Sequence, residues 1–110
     1  MNNFNDFLNT IPHKVLCGNP DKITVKNVYV SDLLSDVMGN AREGDIWITI
    51  MRHLNIIAVA SLAGMPAIIF PKNIIPDKQV IQKAVEEHIT LVNTELSTFE
   101  LAGKLYLFLK

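Results

Sequence analysis

The chain has 110 residues, 49% hydrophobic and 19% charged, with a formal net charge of -1. Those figures describe one domain with enough apolar surface for a core, and they exclude a disordered chain. Ten Lys and Arg against eleven Asp and Glu, with the basic residues scattered from Lys14 to Lys110, exclude the basic face that sequence-independent nucleic-acid binding requires.

In chain order, Phe4, Phe7, Leu8 and Ile11 recur at helical spacing, so the pattern predicts a one-faced helix over Asn3–Ile11 stopped by Pro12. His13–Cys17 reads as a short strand ended by the turn formers Gly18-Asn19-Pro20-Asp21. Ile23–Val30 reads as a second strand, and Ser31-Asp32 ends it and is placed to cap the next helix. Leu33, Leu34, Val37, Met38 and Ala41 predict a helix over 33–41. After Gly44-Asp45, the run Ile46–Ile50 reads as a strand buried on both faces. Ile56–Ala63 reads as a helix halted by Gly64-Met65-Pro66, and Ala67–Phe70 as a strand.

Past the loop Pro71–Pro76, Asp77 opens a helix whose stripe is Val80, Ile81, Ala84 and Val85, with His88 in its last turn. Ile89–Val92 reads as a fifth strand. Ser97 with Glu100 three residues on matches a capping box for a last helix carrying Leu101, Leu105, Leu107 and Phe108. The order α-β-β-α-β-α-β-α-β-α predicts a three-layer α/β/α single domain, residues 1–110, with a mostly parallel sheet of about five strands.

The single Cys17 allows no internal disulfide and no cysteine-cluster zinc site, and a lone thiol suits a reducing compartment. It reads as a small buried strand residue. Residues 1–7 are polar and lack the basic start and apolar core of a signal peptide. The stretch Leu54–Phe70 is broken by Asn55, Ser61, Gly64 and Pro66, and is shorter than the ~20 apolar residues needed to span a bilayer. The expectation is a soluble cytoplasmic protein with no membrane partner.

Several reaction classes lack their motifs. There is no phosphate loop, no dinucleotide fingerprint after a strand and no nucleophile elbow. His13, His53 and His88 stand at spacings that suit no metal, so no catalytic residue, metal or cofactor is assigned. Ligands in open parallel sheets bind outside the carboxyl ends of the strands. Those ends are Ser31-Asp32, the stretch from Thr49 to Asn55 with Arg52 and His53, Lys72-Asn73, and Asn93-Thr94. Ser31, Asp32, Asn93 and Thr94 offer hydrogen bonds, Arg52 and Lys72 offer positive charge, and His53 offers an imidazole that can donate or accept. These seven are the candidate ligand-binding residues. Leu54–Ala63 and the tail Leu105–Leu109 are more apolar than one helical face can hide, which favours a homodimer.

The run Ser31-Asp32-Leu33-Leu34-Ser35-Asp36-Val37-Met38, followed by Gly44-Asp45-Ile46-Trp47-Ile48-Thr49-Ile50, resembles the DRTGG domain family. Asn55–Ser61, Ala67–Phe70 and Leu96–Gly103 match that family in type. The eponymous motif falls at Asp21–Asn27, with Lys22 in the place of Arg and Lys26 and Asn27 in the place of Gly. The resemblance implies an α/β domain similar to the N-terminal domain of HPr kinase/phosphorylase, without that enzyme's kinase domain. It implies a sensory or regulatory role like that of stand-alone HPr serine kinase-like regulators.

The function expected is therefore a non-catalytic regulatory domain that dimerises and binds a small anionic metabolite or nucleotide at the strand ends. The alternative is an interaction subunit docking on a partner enzyme through Leu54–Ala63 or the last helix, with no small-molecule ligand. A third reading, a small enzyme using His53 and Asp32 as acid and base, rests on strand-end placement alone.

Overall fold

The structure is a computed structural model that describes residues 2–110; Met1, first residue of the polar N-terminal stretch, lies outside them. The elements follow the expected order: α1 (Phe4–Leu8), β1 (Lys14–Cys17), a 3-10 turn (Pro20–Lys22), β2 (Val28–Val30), α2 (Leu34–Asn40), β3 (Ile46–Ile48), α3 (Asn55–Ala63), β4 (Ala67–Phe70), α4 (Lys78–Glu86), β5 (Thr90–Asn93) and α5 (Thr98–Leu109).

The strands form one sheet in the order β1-β5-β4-β3-β2. β2, β3, β4 and β5 run parallel, and β1 closes the far edge antiparallel to β5, with Lys14 opposite Asn93. Each parallel strand is the sequence neighbour of the next, so three successive crossovers of one hand put α2, α3 and α4 on one face. Strand alternation then separates two cores. Trp47, Ile68, Phe70 and Leu91 pack with Val37, Ile56, Ala60, Val80 and Ala84 from those helices. Ile46, Ile48, Ala67, Ile69 and Val92 pack with Phe4, Phe7 and Leu8 of α1 and Leu101 and Leu105 of α5. The central strands are buried on both faces, as their unbroken apolar runs require.

α5 begins as its sequence states: the Ser97 hydroxyl oxygen accepts from the Glu100 amide (3.1 Å), and the Glu100 carboxylate accepts from the Ser97 amide (3.1 Å). Leu101 and Leu105, one turn apart, supply its buried stripe, and Phe108 meets Phe7 edge-on with ring centroids 5.4 Å apart.

Several expectations need correction. The second strand is Val28–Val30 alone. Pro20 starts a 3-10 turn, and Thr24 instead forms an isolated antiparallel bridge to Asn3. The apolar period is interrupted at Lys26-Asn27, so the two halves belong to different neighbours. Leu33 and Met38 point outward, 62% and 58% exposed, and only Val37 of α2 is fully buried. Val85 leaves the expected stripe of α4 and is exposed. His88 lies beyond the helix with a left-handed φ of 59° rather than in its last turn. Cys17 is half-buried, and burial pushes its thiol pKa up.

Candidate functional site

The four turns leaving β2, β3, β4 and β5 emerge at one rim of the sheet, because the strands are parallel. β1 runs the other way and brings His13 to the same rim beside Asn93. At strand spacings of about 4.8 Å, the rim from β2 to β5 is roughly 14 Å across. α2, α3, α4 and α5 all start there, so their amide ends share the rim and add positive potential. The chain leaves β4 for α4 on one face and leaves β5 for α5 on the other, so the loops part between these two strands. Such a switch in direction is where open α/β sheets form a crevice.

The candidate residues fall into three groups along this rim. Ser31 and Asp32 sit over the ends of β2 and β3. The Asp32 Oδ1 accepts from the Thr49 hydroxyl (2.8 Å) and from the Ile50 amide (2.9 Å). The Ser31 carbonyl accepts from the Trp47 indole N–H (2.9 Å), and its hydroxyl oxygen accepts from the Leu33 amide (3.2 Å). Neither residue caps α2, whose N-cap is Leu33 without a side-chain bond. Asp32 is a clasp between two strand ends, a role that depends on buried Thr49. Sequence spacing gives no signal for that pairing, since the partners are 17 residues apart.

Arg52 and His53 lie in the turn after β3, and both side chains are exposed. Lys72, Asn93 and Thr94 form the third group. Lys72 and Asn73 are consecutive left-handed residues (φ 57° and 56°), and this bend lays the loop after β4 against the loop after β5. The Lys72 amide donates to the Leu96 carbonyl (2.8 Å) and the Asn73 amide to the Thr94 carbonyl (2.7 Å). The Thr94 hydroxyl donates to the Pro12 carbonyl (2.6 Å), and the Asn93 side-chain amide donates to the Ile74 carbonyl (3.3 Å). Asn93 and Thr94 are buried and fasten the rim, while the Lys72 side chain is exposed. A shallow hollow of about 230 Å³ lies between His13, Lys14, Asn73, Asn93 and Glu95.

Chemically this rim offers the exposed side chains of Lys14, Arg52, His53 and Lys72, with Glu95 among them, and little acid–base machinery. The Asp32 Oδ1 is engaged by two donors that tie it to the fold, which leaves its second oxygen for any other partner. No group of three metal-ligating side chains occurs among the described residues. Every buried side-chain polar atom among them has a hydrogen-bond partner. Behind the rim, the hydroxyls of Ser31 and Tyr29 hold the Asp36 carboxyl below the usual carboxylate range. The Tyr29 hydroxyl donates to Asp36 Oδ2 at 2.9 Å, and that bond in turn pushes the phenol pKa up.

No protein-family model and no curated protein matches this sequence. Comparison of folds is more informative. The chain superimposes on the CBS and DRTGG domains of the regulatory region of Clostridium perfringens pyrophosphatase, solved with its activator diadenosine tetraphosphate. The TM-score is 0.73 at 21% identity, covering 96% of this chain and 45% of that one. The two share a fold. The present chain spans less than half the length of that neighbour. No helix among the described residues is long and apolar enough to cross a membrane.

Proposed function

We propose that residues 1–110 form a DRTGG-like regulatory domain, non-catalytic and cytoplasmic, that binds a small anionic metabolite or nucleotide at the C-terminal ends of its strands and acts as a dimer. The observation that carries this reading is that exposed Arg52, His53 and Lys72 lie in the turns leaving the adjacent parallel strands β3 and β4, at the rim where α3 and α4 begin. Fixed amide ends and mobile cationic side chains together favour a phosphate or carboxylate. Arg52, His53 and Lys72 contact the ligand, and Ser31, Asp32, Asn93 and Thr94 hold the turns that present them. The likeness to a regulatory region crystallised with a nucleotide activator supports the same reading.

A thermal-shift screen with adenosine 5′-monophosphate, diadenosine tetraphosphate and phosphorylated sugars tests it. The expected result is a rise in Tm with at least one of these, lost in the Arg52→Ala/Lys72→Ala double variant. No rise with any of them, or a rise that the double variant retains, overturns the rim as the site.

A second reading is favoured by α5. Phe99, Tyr106 and Leu107 are 86%, 68% and 68% exposed, which suits docking on a partner enzyme without a small ligand. Co-purification of one partner in fixed ratio from the native extract, unaffected by added nucleotide, would favour it.

A further inference from the structure

At the pole opposite the rim lies a hollow of about 390 Å³, against about 230 Å³ for the hollow beside Asn93. Its size falls in the range of small-molecule sites. The turn after β1 (Gly18), the 3-10 turn (Lys22), Pro66 before β4, the last turn of α4 (Ala84, Val85), His88 beyond it and the first residue of β5 (Thr90) line it. None of its lining residues belongs to the rim.

Three features define what it accepts. Charge comes first. Lys22 and His88 line the hollow, and an adjoining one of about 270 Å³ shares Lys22, Ile23 and Pro66 and adds Lys26. No Asp or Glu lines either of them.

The walls come second. Ile23, Pro66, Ala84 and Val85 are aliphatic, and the nearby polar groups are already engaged. The Asn19 amide donates to the Thr90 hydroxyl oxygen (3.2 Å), and the Asn19 side-chain oxygen accepts from the Asp21 amide (3.1 Å). The several polar edge atoms of a purine base would find few partners, whereas a largely hydrocarbon ring system loses little. The carbonyls of Lys83, Val85 and Ala84 near the end of α4 are likewise satisfied, by the amides of Glu87, His88 and Ile89.

Backbone strain is the third. His88 holds a left-handed φ of 59° at the point where a glycine ordinarily ends a helix, and His88 is among the residues that line the hollow. Gly18 adopts φ 89°, and a Cβ there would stand 2.7 Å from the Thr90 Cα, so the turn can lie directly on β5.

We propose that this hollow is a binding site, separate from the rim, for a small amphipathic anion: a flat apolar body against Pro66 and Val85, its acidic tail reaching Lys22 and Lys26, and His88 at the wall. The polarity follows from the dipole of α4, whose carboxyl end disfavours negative charge. The apolar body lies there, and the acid lies at the lysines.

An amide-resolved NMR titration of the full chain with indole-3-acetate and with the uncharged indole-3-acetamide tests this. Both compounds should shift the amides of Gly18, Lys22, Ala84 and Thr90, with the acetate binding about tenfold tighter because only it meets the lysines. Lys22→Ala/Lys26→Ala should bring the acetate down to the acetamide. Val85→Trp, at a position 58% exposed, should fill the hollow from its open side and remove both sets of shifts. His88→Gly should raise Tm, because glycine takes the left-handed φ without strain, and should leave the acetate's advantage over the acetamide intact; loss of that advantage would overturn the placement of the acid at the lysines. Shifts confined to Arg52, His53 and Lys72, equal affinity for the two compounds, or no shift at millimolar concentration would each overturn the proposal. Adenosine 5′-monophosphate moving the same amides at lower concentration than indole-3-acetate would overturn the apolar-body requirement.

Discussion

Asp32 combines an exposed side chain with two fixed donors. If it only clasps β2 to β3, Asp32→Ala leaves the buried Thr49 hydroxyl and the Ile50 amide without their acceptor, at a cost of about 1–3 kcal/mol. Urea unfolding should show that loss in the absence of any ligand. Arg52→Ala, which breaks no bond within the fold, should stay within about 0.5 kcal/mol of the parent. Equal stability of the two variants would remove the clasp. The sequence makes Ser31 and Asp32 look like cap residues, since Ser and Asp before an apolar helical run usually are. Their partners lie instead on the neighbouring strand, and only the register of β2 against β3 supplies them. The polar identity of the candidate site was therefore legible, while the division between residues that face solvent and residues that fasten turns was not. Asn93 and Thr94 show the same limit, because their acceptors, Ile74 and Pro12, belong to segments that only the folded sheet brings near.

Among the elements, those with strictly local causes were read best. The Ser97–Glu100 box starts α5 where spacing predicts, and β4 coincides with its apolar run. β2 was overlong in the reading because β-branched Ile23 and Val25 carry strand character that their real neighbour, α1, uses differently: the Phe4 amide bonds the Ile23 carbonyl and the Val25 amide bonds the Asn2 carbonyl. Two of these local devices titrate. Bonds from the Ser97 backbone and hydroxyl hold Glu100 below the usual carboxylate range, and Ser31 and Tyr29 do so for Asp36. A carboxyl whose pKa is lower in the folded state adds stability above its unfolded pKa and loses it as pH falls through the folded one. Stability should thus decline on acidification through the carboxylate range. Glu100→Gln should flatten that decline, measured as urea midpoint against pH; an unchanged slope would show that the box carries no charge-dependent part. Tyr29, whose phenol is pushed up, works in the opposite sense, and its contribution should persist until strongly alkaline pH. Packing outweighs all of these: Leu105→Ala, at a fully buried position between α5 and the sheet, should cost about 2–5 kcal/mol.

For the molecule as a whole, the element order reveals a three-layer α/β sheet but not its strand order, because a strand's neighbours are chosen by pairings far apart in sequence. The placement of β1 antiparallel to β5 is such a case. Homodimer formation belongs to this scale. If α5 is the contact, Leu107→Glu, at a position 68% exposed, should halve the mass seen by sedimentation without changing the urea midpoint. A monomeric parent would dispose of the dimer. The β1–β5 pairing also bears on how the chain is made. Lys14 finds its neighbour in Asn93, and Phe4, Phe7 and Leu8 close their core only with Leu101 and Leu105. On the ribosome, Phe4, Phe7 and Leu8 would wait for Leu101 and Leu105 to emerge, and pairings of high sequence separation are slow to assemble. Nascent chains cut short before Leu101 should therefore remain protease-sensitive at Phe4 and Phe7, and chaperone demand in the cell should fall on α1.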